Sequence, residues 1–170
     1  MAKPVVADPE GAAERRARIT RDLMEKTGID DAMIERLVRI FYGRVQADPL
    51  IGPVFAARIE DWEAHMVKLC AFWSSVALMT GRYHGQPMQT HLDLPIAAEH
   101  FDRWIAIFEA TANELCPPAA ALHFIDRARR IADSFELGMA GRQGKIASPR
   151  FSTAVRRSVR PSAAEPVSCG

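Results

Sequence analysis

The stretch that decides how this chain is read is Gly85-Gln86-Pro87-Met88-Gln89-Thr90-His91-Leu92-Asp93-Leu94-Pro95. It lies in an interval, Thr80 to Pro95, where helical periodicity fails and Gly81, Gly85, Pro87 and Pro95 punctuate the chain. Proline suits the first position of a helix, so one short helical turn is expected from Pro87, inside what is otherwise loop. A loop this long within a compact domain usually has a functional reason. The side chains it carries, Arg82, Tyr83, His84, His91 and Asp93, are therefore the first place to look for chemistry.

Outward from this break the chain is helical on both sides. In Asp31 to Gln46 the apolar residues Ile34, Leu37, Val38, Phe41 and Val45 recur at three- and four-residue steps, which makes one apolar stripe on a helix. Tyr42, four after Val38, falls on or beside the buried face. Asp48-Pro49 and Gly52-Pro53 stop that helix and force a short connection ending at Phe55. Glu60 to Met79 resumes the pattern, with Trp62, His65, Leu69, Phe72, Trp73 and Val76 along one side. Beyond Pro95, Phe101, Trp104, Ile105, Phe108, Ala112 and Leu115 mark a third helix, which Pro117-Pro118 ends. Ile125, Ala128, Ala132, Phe135 and Met139 mark a fourth. No alternating strand pattern occurs, and the expected fold class is all-α.

At 170 residues the chain suits one domain better than two. Its 48% hydrophobic and 25% charged residues are the balance of a water-soluble globular protein, and no apolar run nears the roughly 20 residues of a membrane span. Met1 to Arg18 lacks a secretory apolar stretch, so a cytoplasmic location is expected. Cys70, Cys116 and Cys169 are too widely spaced for a disulfide framework or zinc cluster, and Cys70 reads as a small core residue. Charge is unevenly spread: residues 143–170 carry five basic and one acidic residue, whereas the net charge of the whole chain is +1. The expected organisation is an N-terminal extension over 1–29, partly helical or disordered, a domain over 30–142, and a basic tail over 143–170. The tail is too poor in apolar residues to offset its ordering entropy and is expected to be mostly disordered. Neither nucleic acid nor a membrane is an expected partner, and the expected state is a monomer.

Four residues stand out: Tyr42, His65, His91 and Trp104, the two histidines lying 26 residues apart on either side of the break. Each has an ordinary reading when taken alone. Tyr42 and Trp104 suit an aromatic core, His65 a satisfied histidine on an apolar face, and His91 a solvated loop.

Together with their neighbours they read differently. Phe41-Tyr42, Trp62-Glu63-Ala64-His65, Phe72-Trp73, the run from Gly85 to Pro95, and His100-Phe101-Asp102-Arg103-Trp104 stand in the order and spacing of truncated haemoglobins. The set most closely resembles the third group of that family, over residues 31 to 142, and the Gly85–Pro95 run is its most specific piece. The resemblance implies a shortened globin fold, a two-over-two helical sandwich holding haem b. It implies that His91 is the proximal iron ligand, that Tyr42 and Trp104 are polar groups on the ligand side, that His65 gates that pocket and that Phe55 packs on the haem. Leu69, Phe72 and Trp73 would line the site, with Leu69 covering the ligand. Lys68, Arg82 and Tyr83 are candidate propionate partners by position.

The function expected from this is binding of a diatomic ligand, O2, NO or CO. Several donors make a tight oxygen complex, and a tight complex is a poor carrier, so redox chemistry on O2, NO or peroxide is favoured over transport. Whether this amounts to NO dioxygenase or peroxidase-like enzymology stays open. No dinucleotide fingerprint occurs, so a separate reductase would be needed. The alternatives are a haem-based gas sensor using the tails, an oxygen carrier, and a haem-free helical interaction module. A di-iron carboxylate bundle is set aside because no histidine has an acidic residue three positions before it.

Overall fold

A computed structural model describes residues 9–152, which form seven helices: α1 (Pro9–Thr27), α2 (Asp31–Ala47), α3 (Gly52–Ala56), α4 (Trp62–Leu78), α5 (Pro87–His91), α6 (Ala98–Leu115) and α7 (Pro118–Arg142). There is no strand among the described residues. Four of the five long helices, α2, α4, α6 and α7, fall where the three- and four-residue spacing puts them, and the turn at Pro87 forms as α5. None is long and apolar enough to cross a membrane.

Local chemistry sets the helix ends. Asp30 caps α2 by accepting from Met33 N at 2.7 Å, and Asp61 caps α4 by accepting from Ala64 N at 3.0 Å. After α2, Asp48 Oδ1 takes the backbone N–H groups of Leu50 and Ile51 while Oδ2 takes Arg103 Nε at 2.6 Å. Burial opposes the charge on Asp48, but these donors prevail and hold its carboxyl below the usual range. The turn is tight: a Cβ at Gly52 would stand 2.7 Å from the Gln46 carbonyl, so only glycine fits there.

α2 packs on α4 and on α6, and α6 packs on α7, giving two helical pairs with the core between them. Phe41, Trp73, Phe108 and Phe124 are the largest fully buried side chains. Part of each terminal segment is ordered against the domain. α1 is one continuous helix that packs on α4 and α7, with Thr20 Oγ1 donating to the Leu78 carbonyl at 2.8 Å and Leu23 against the core. It ends at Gly28, whose φ of 72° is the left-handed residue that stops a helix.

The start of the basic tail is also held. The buried Asp133 carboxylate accepts the backbone N–H groups of Arg150 (2.7 Å), Phe151 (2.9 Å) and Ser152 (2.8 Å). Arg150 pairs with Glu136 at 2.8 Å and Asp102 at 2.9 Å, and Phe151 packs on the core. Composition gave no hint of this strap because one buried carboxylate, not apolar area, holds it. Residues 1–8 and 153–170, and the expectations that fall on them, lie outside the described residues.

Candidate functional site

Tyr42, Phe55, His65 and Trp104 come together from α2, α3, α4 and α6. Tyr42 is 5% exposed, with its ring edge-on to Phe55 at 5.9 Å and to His65 at 6.4 Å. Trp62 also meets His65 edge-on, at 5.9 Å, and stacks on Phe55 at 6.5 Å. Trp104 stands edge-on to Phe41 at 5.4 Å and stacks on Phe108 at 5.6 Å. Burial drives the Tyr42 hydroxyl well above its ordinary pKa, while the indole N–H groups of Trp104 and then Trp73 act on it in the opposite sense. The phenol is therefore neutral at any physiological pH.

His91 lies on α5, which packs on α7. Its Nδ1 stands 2.6 Å from the Pro87 carbonyl, and a carbonyl can only accept, so Nδ1 carries the proton and Nε2 keeps its lone pair free. The ring stacks on Phe135 of α7 at 4.4 Å with 26° between planes, which fixes its tilt. Burial holds His91 below the ordinary histidine pKa, against the Pro87 hydrogen bond, so the imidazole is neutral. His65 is likewise lowered, by burial first and then by the charge of Lys68. The apolar residues Phe55, Leu69, Phe72, Leu92 and Trp104 pack on the core but stay only partly buried.

This donor set fits a haem. A neutral imidazole with one nitrogen fixed by a carbonyl and the other free is what an axial ligand requires, and neutral hydrogen-bond donors collect in the group around Tyr42. Of the residues expected to line such a site, Trp73 instead lies 1% exposed behind Tyr42, stacked on Phe108 at 4.8 Å. Lys68 is exposed on the His65 side. The structure does not bring Arg82 to this group: it pairs with Asp31, at the opposite end of α2 from Tyr42, at 2.8 Å. Tyr83 meets Phe72 edge-on at 5.2 Å.

Two participants escaped the sequence reading. Phe135 was visible only as a member of an apolar stripe. Arg58, one turn after Phe55, donates to the Asp93 carbonyl at 3.2 Å and joins the end of α3 to the loop after His91. Its signal was a cation close behind the aromatic. His123 and His100 fill structural roles: His123 Nε2 donates to the Ala77 carbonyl at 2.8 Å, and His100 Nδ1 accepts from Ala97 N at 3.1 Å.

A shortened helical sandwich that carries a neutral, oriented imidazole and a cluster of aromatic donors defines a helical protein of the globin kind. The chain belongs to the family described as bacterial-like globin, whose model matches residues 22–133. It is 35% identical to the group 3 truncated hemoglobin ctb of Campylobacter jejuni over 113 residues, covering 64% of this chain and 89% of that protein. It is 28% identical over 80 residues to the group 2 truncated hemoglobin YjbI of Bacillus subtilis, covering 46% of this chain and 61% of that one. The crystal structure of the group III truncated hemoglobin from Campylobacter jejuni superposes with a TM-score of 0.61 at 35% identity, over 64% of this chain and 89% of that one. Among truncated haemoglobins the chain is thus most like the third group, and membership implies a haem-binding globin whose ligands are diatomic gases.

Proposed function

We propose that this globin holds haem b through His91 and carries out redox chemistry on O2, NO or peroxide rather than transporting oxygen. The observation that carries the reading is the His91 Nδ1 contact to the Pro87 carbonyl at 2.6 Å, which leaves Nε2 as a lone-pair donor. When bound, the haem supplies an iron that takes a diatomic ligand. Everything else is done by the chain. The Pro87 carbonyl and the Phe135 ring orient His91. Phe55, Leu69 and Phe72 supply apolar packing and exclude water. Lys68 and Arg58 would meet the propionates, whereas Arg82 is engaged with Asp31.

On the ligand side the Tyr42 hydroxyl and the Trp104 indole meet a ligand that gains negative charge. Each charge-assisted hydrogen bond is worth about 1.5 to 3 kcal/mol, and about 1.4 kcal/mol is tenfold in affinity. Two such donors favour slow release, which suits turnover in place better than delivery. His65, beside both Tyr42 and Trp62, acts as the gate. Electrons come from a separate reductase, since the sequence carries no dinucleotide fingerprint.

Stopped-flow measurement of oxygen release tests this reading. Release slower than about ten per second is expected, and faster release means a carrier. One observation favours a second reading, a gas sensor: the strap at residues 150–152 is held by Asp133 on the same helix whose Phe135 stacks on His91. A change in trypsin cleavage at Arg150 on adding carbon monoxide would support the sensor, and identical cleavage would reject it.

A further inference from the structure

Glycine inside a helix is destabilising relative to alanine, so one that persists within α7 calls for a packing reason. Gly138 has one. A Cβ there would stand 2.7 Å from Met88 Sδ and 3.0 Å from Met88 Cε, too close to stay unless the thioether moved. Gly141, three residues on in the same helix, has nothing within 4 Å of such a Cβ. The notch at Gly138 is therefore filled, and what fills it is a side chain of α5.

α5 has little else to seat it. It is five residues long, none of them fully buried, and among the described helices it packs on α7 alone. Two contacts make that joint. Met88 enters the notch at Gly138, and three residues after Met88 the His91 ring stacks at 4.4 Å on Phe135, three residues before Gly138. Residues three apart share a helix face, so the two contacts lock α5 to α7 along one seam. An unbranched thioether suits a narrow gap of this kind. The bond between His91 Nδ1 and the Pro87 carbonyl cannot replace the joint, because both partners belong to α5. It turns the imidazole relative to its own helix and leaves the seat of that helix to Met88 and Phe135.

We propose that Gly138 is a positioning residue: by lacking a Cβ it admits Met88, and Met88 sets how deep α5 lies on α7 and so where His91 Nε2 is presented to the haem iron. This rests on reading His91 as the iron ligand. Gly138 acts only through Met88 and His91. A methyl group at 138 either turns the thioether out of the notch or lifts α5 from α7. In both cases the joint loses one of its two contacts and His91 keeps Phe135 alone.

The test compares Gly138→Ala with Gly141→Ala in the full-length haem-loaded protein. Both substitutions favour the helix, but only the first meets a neighbour. The readouts are the iron–histidine stretching band of the ferrous protein and the rate of haem transfer to a scavenger globin. Gly138→Ala should lower the frequency of the band and speed transfer about tenfold, while Gly141→Ala leaves both at their wild-type values. On a Met88→Ala background, where the notch is already empty, Gly138→Ala should change neither any further. If Gly138→Ala matches Gly141→Ala while His91→Ala abolishes the band, the proposal is overturned and His91 stands as the ligand. A band that survives His91→Ala overturns that reading and the proposal with it. Should Gly138→Ala fail to take up haem, the double variant with Met88→Ala decides: restored uptake upholds the notch, and uptake still absent rejects it.

Discussion

Replacing Asp133 by asparagine should release the strap at residues 150–152, and the size of the effect follows from its geometry. The carboxylate is 4% exposed and accepts three backbone N–H groups at 2.7, 2.9 and 2.8 Å. Burial works against its charge, but the N–H groups of Phe151, Ser152 and Arg150 outweigh burial and hold the carboxyl below the usual range. Asparagine keeps one carbonyl oxygen for two of these donors and turns an NH2 toward the third, donor against donor. One bond is lost and two fall from charge-assisted to neutral strength, a loss of about 3 kcal/mol. For a chain of this size that lowers Tm by roughly 6 to 12 °C if strap and core unfold together. If the strap lets go first, the melt moves less and trypsin cuts faster after Arg150. Because the folded carboxyl titrates below its unfolded value, its contribution is present above the ordinary carboxylate range and is lost as pH falls through the folded value. The gap between the wild type and Asp133→Asn should therefore be full at neutral pH and close in strong acid. A Tm within about 2 °C of the wild type, with unchanged cleavage at Arg150, would refute the reasoning.

Two further substitutions probe the site itself. His65→Ala should change the association rate of carbon monoxide more than it changes haem retention, measured by flash photolysis and by haem transfer to a scavenger globin; an unchanged association rate removes His65 as a gate. Phe135→Ala takes away the ring stacked on His91 at 4.4 Å, and haem transfer to the scavenger should speed up about tenfold. If transfer is unaffected, the Pro87 contact alone holds the imidazole.

α2, α4, α6 and α7 were legible because each repeats its apolar residues on one face, and the Gly85–Pro95 run marked the break that carries His91. Tyr42, His65 and Trp104 were legible as members of those faces and do converge. What the pattern hid were interactions that depend on one polar atom or on contact across the fold. α1 is rich in charge, so nothing in its composition announced Thr20 on the Leu78 carbonyl. The strap depends on a carboxylate 17 to 19 residues before the N–H groups it binds. Arg82 suited a propionate by position along the chain, but Asp31 at the start of α2 lies nearer to it in space and pairs with it. Trp73 fell on the same face as His65 and Leu69, yet a helix face seen as one stripe spans both the core and the site, and Trp73 lies on the core side.

The most direct measurement is the absorption spectrum of the purified full-length protein after haem reconstitution, set beside that of His91→Ala. The account predicts a strong band at about 400 nm for the wild type, with weakened haem retention and an altered ferrous spectrum in the variant, restored by added imidazole. No such band in the wild type, or a variant spectrum identical to it, would contradict the claim that His91 Nε2 holds the iron.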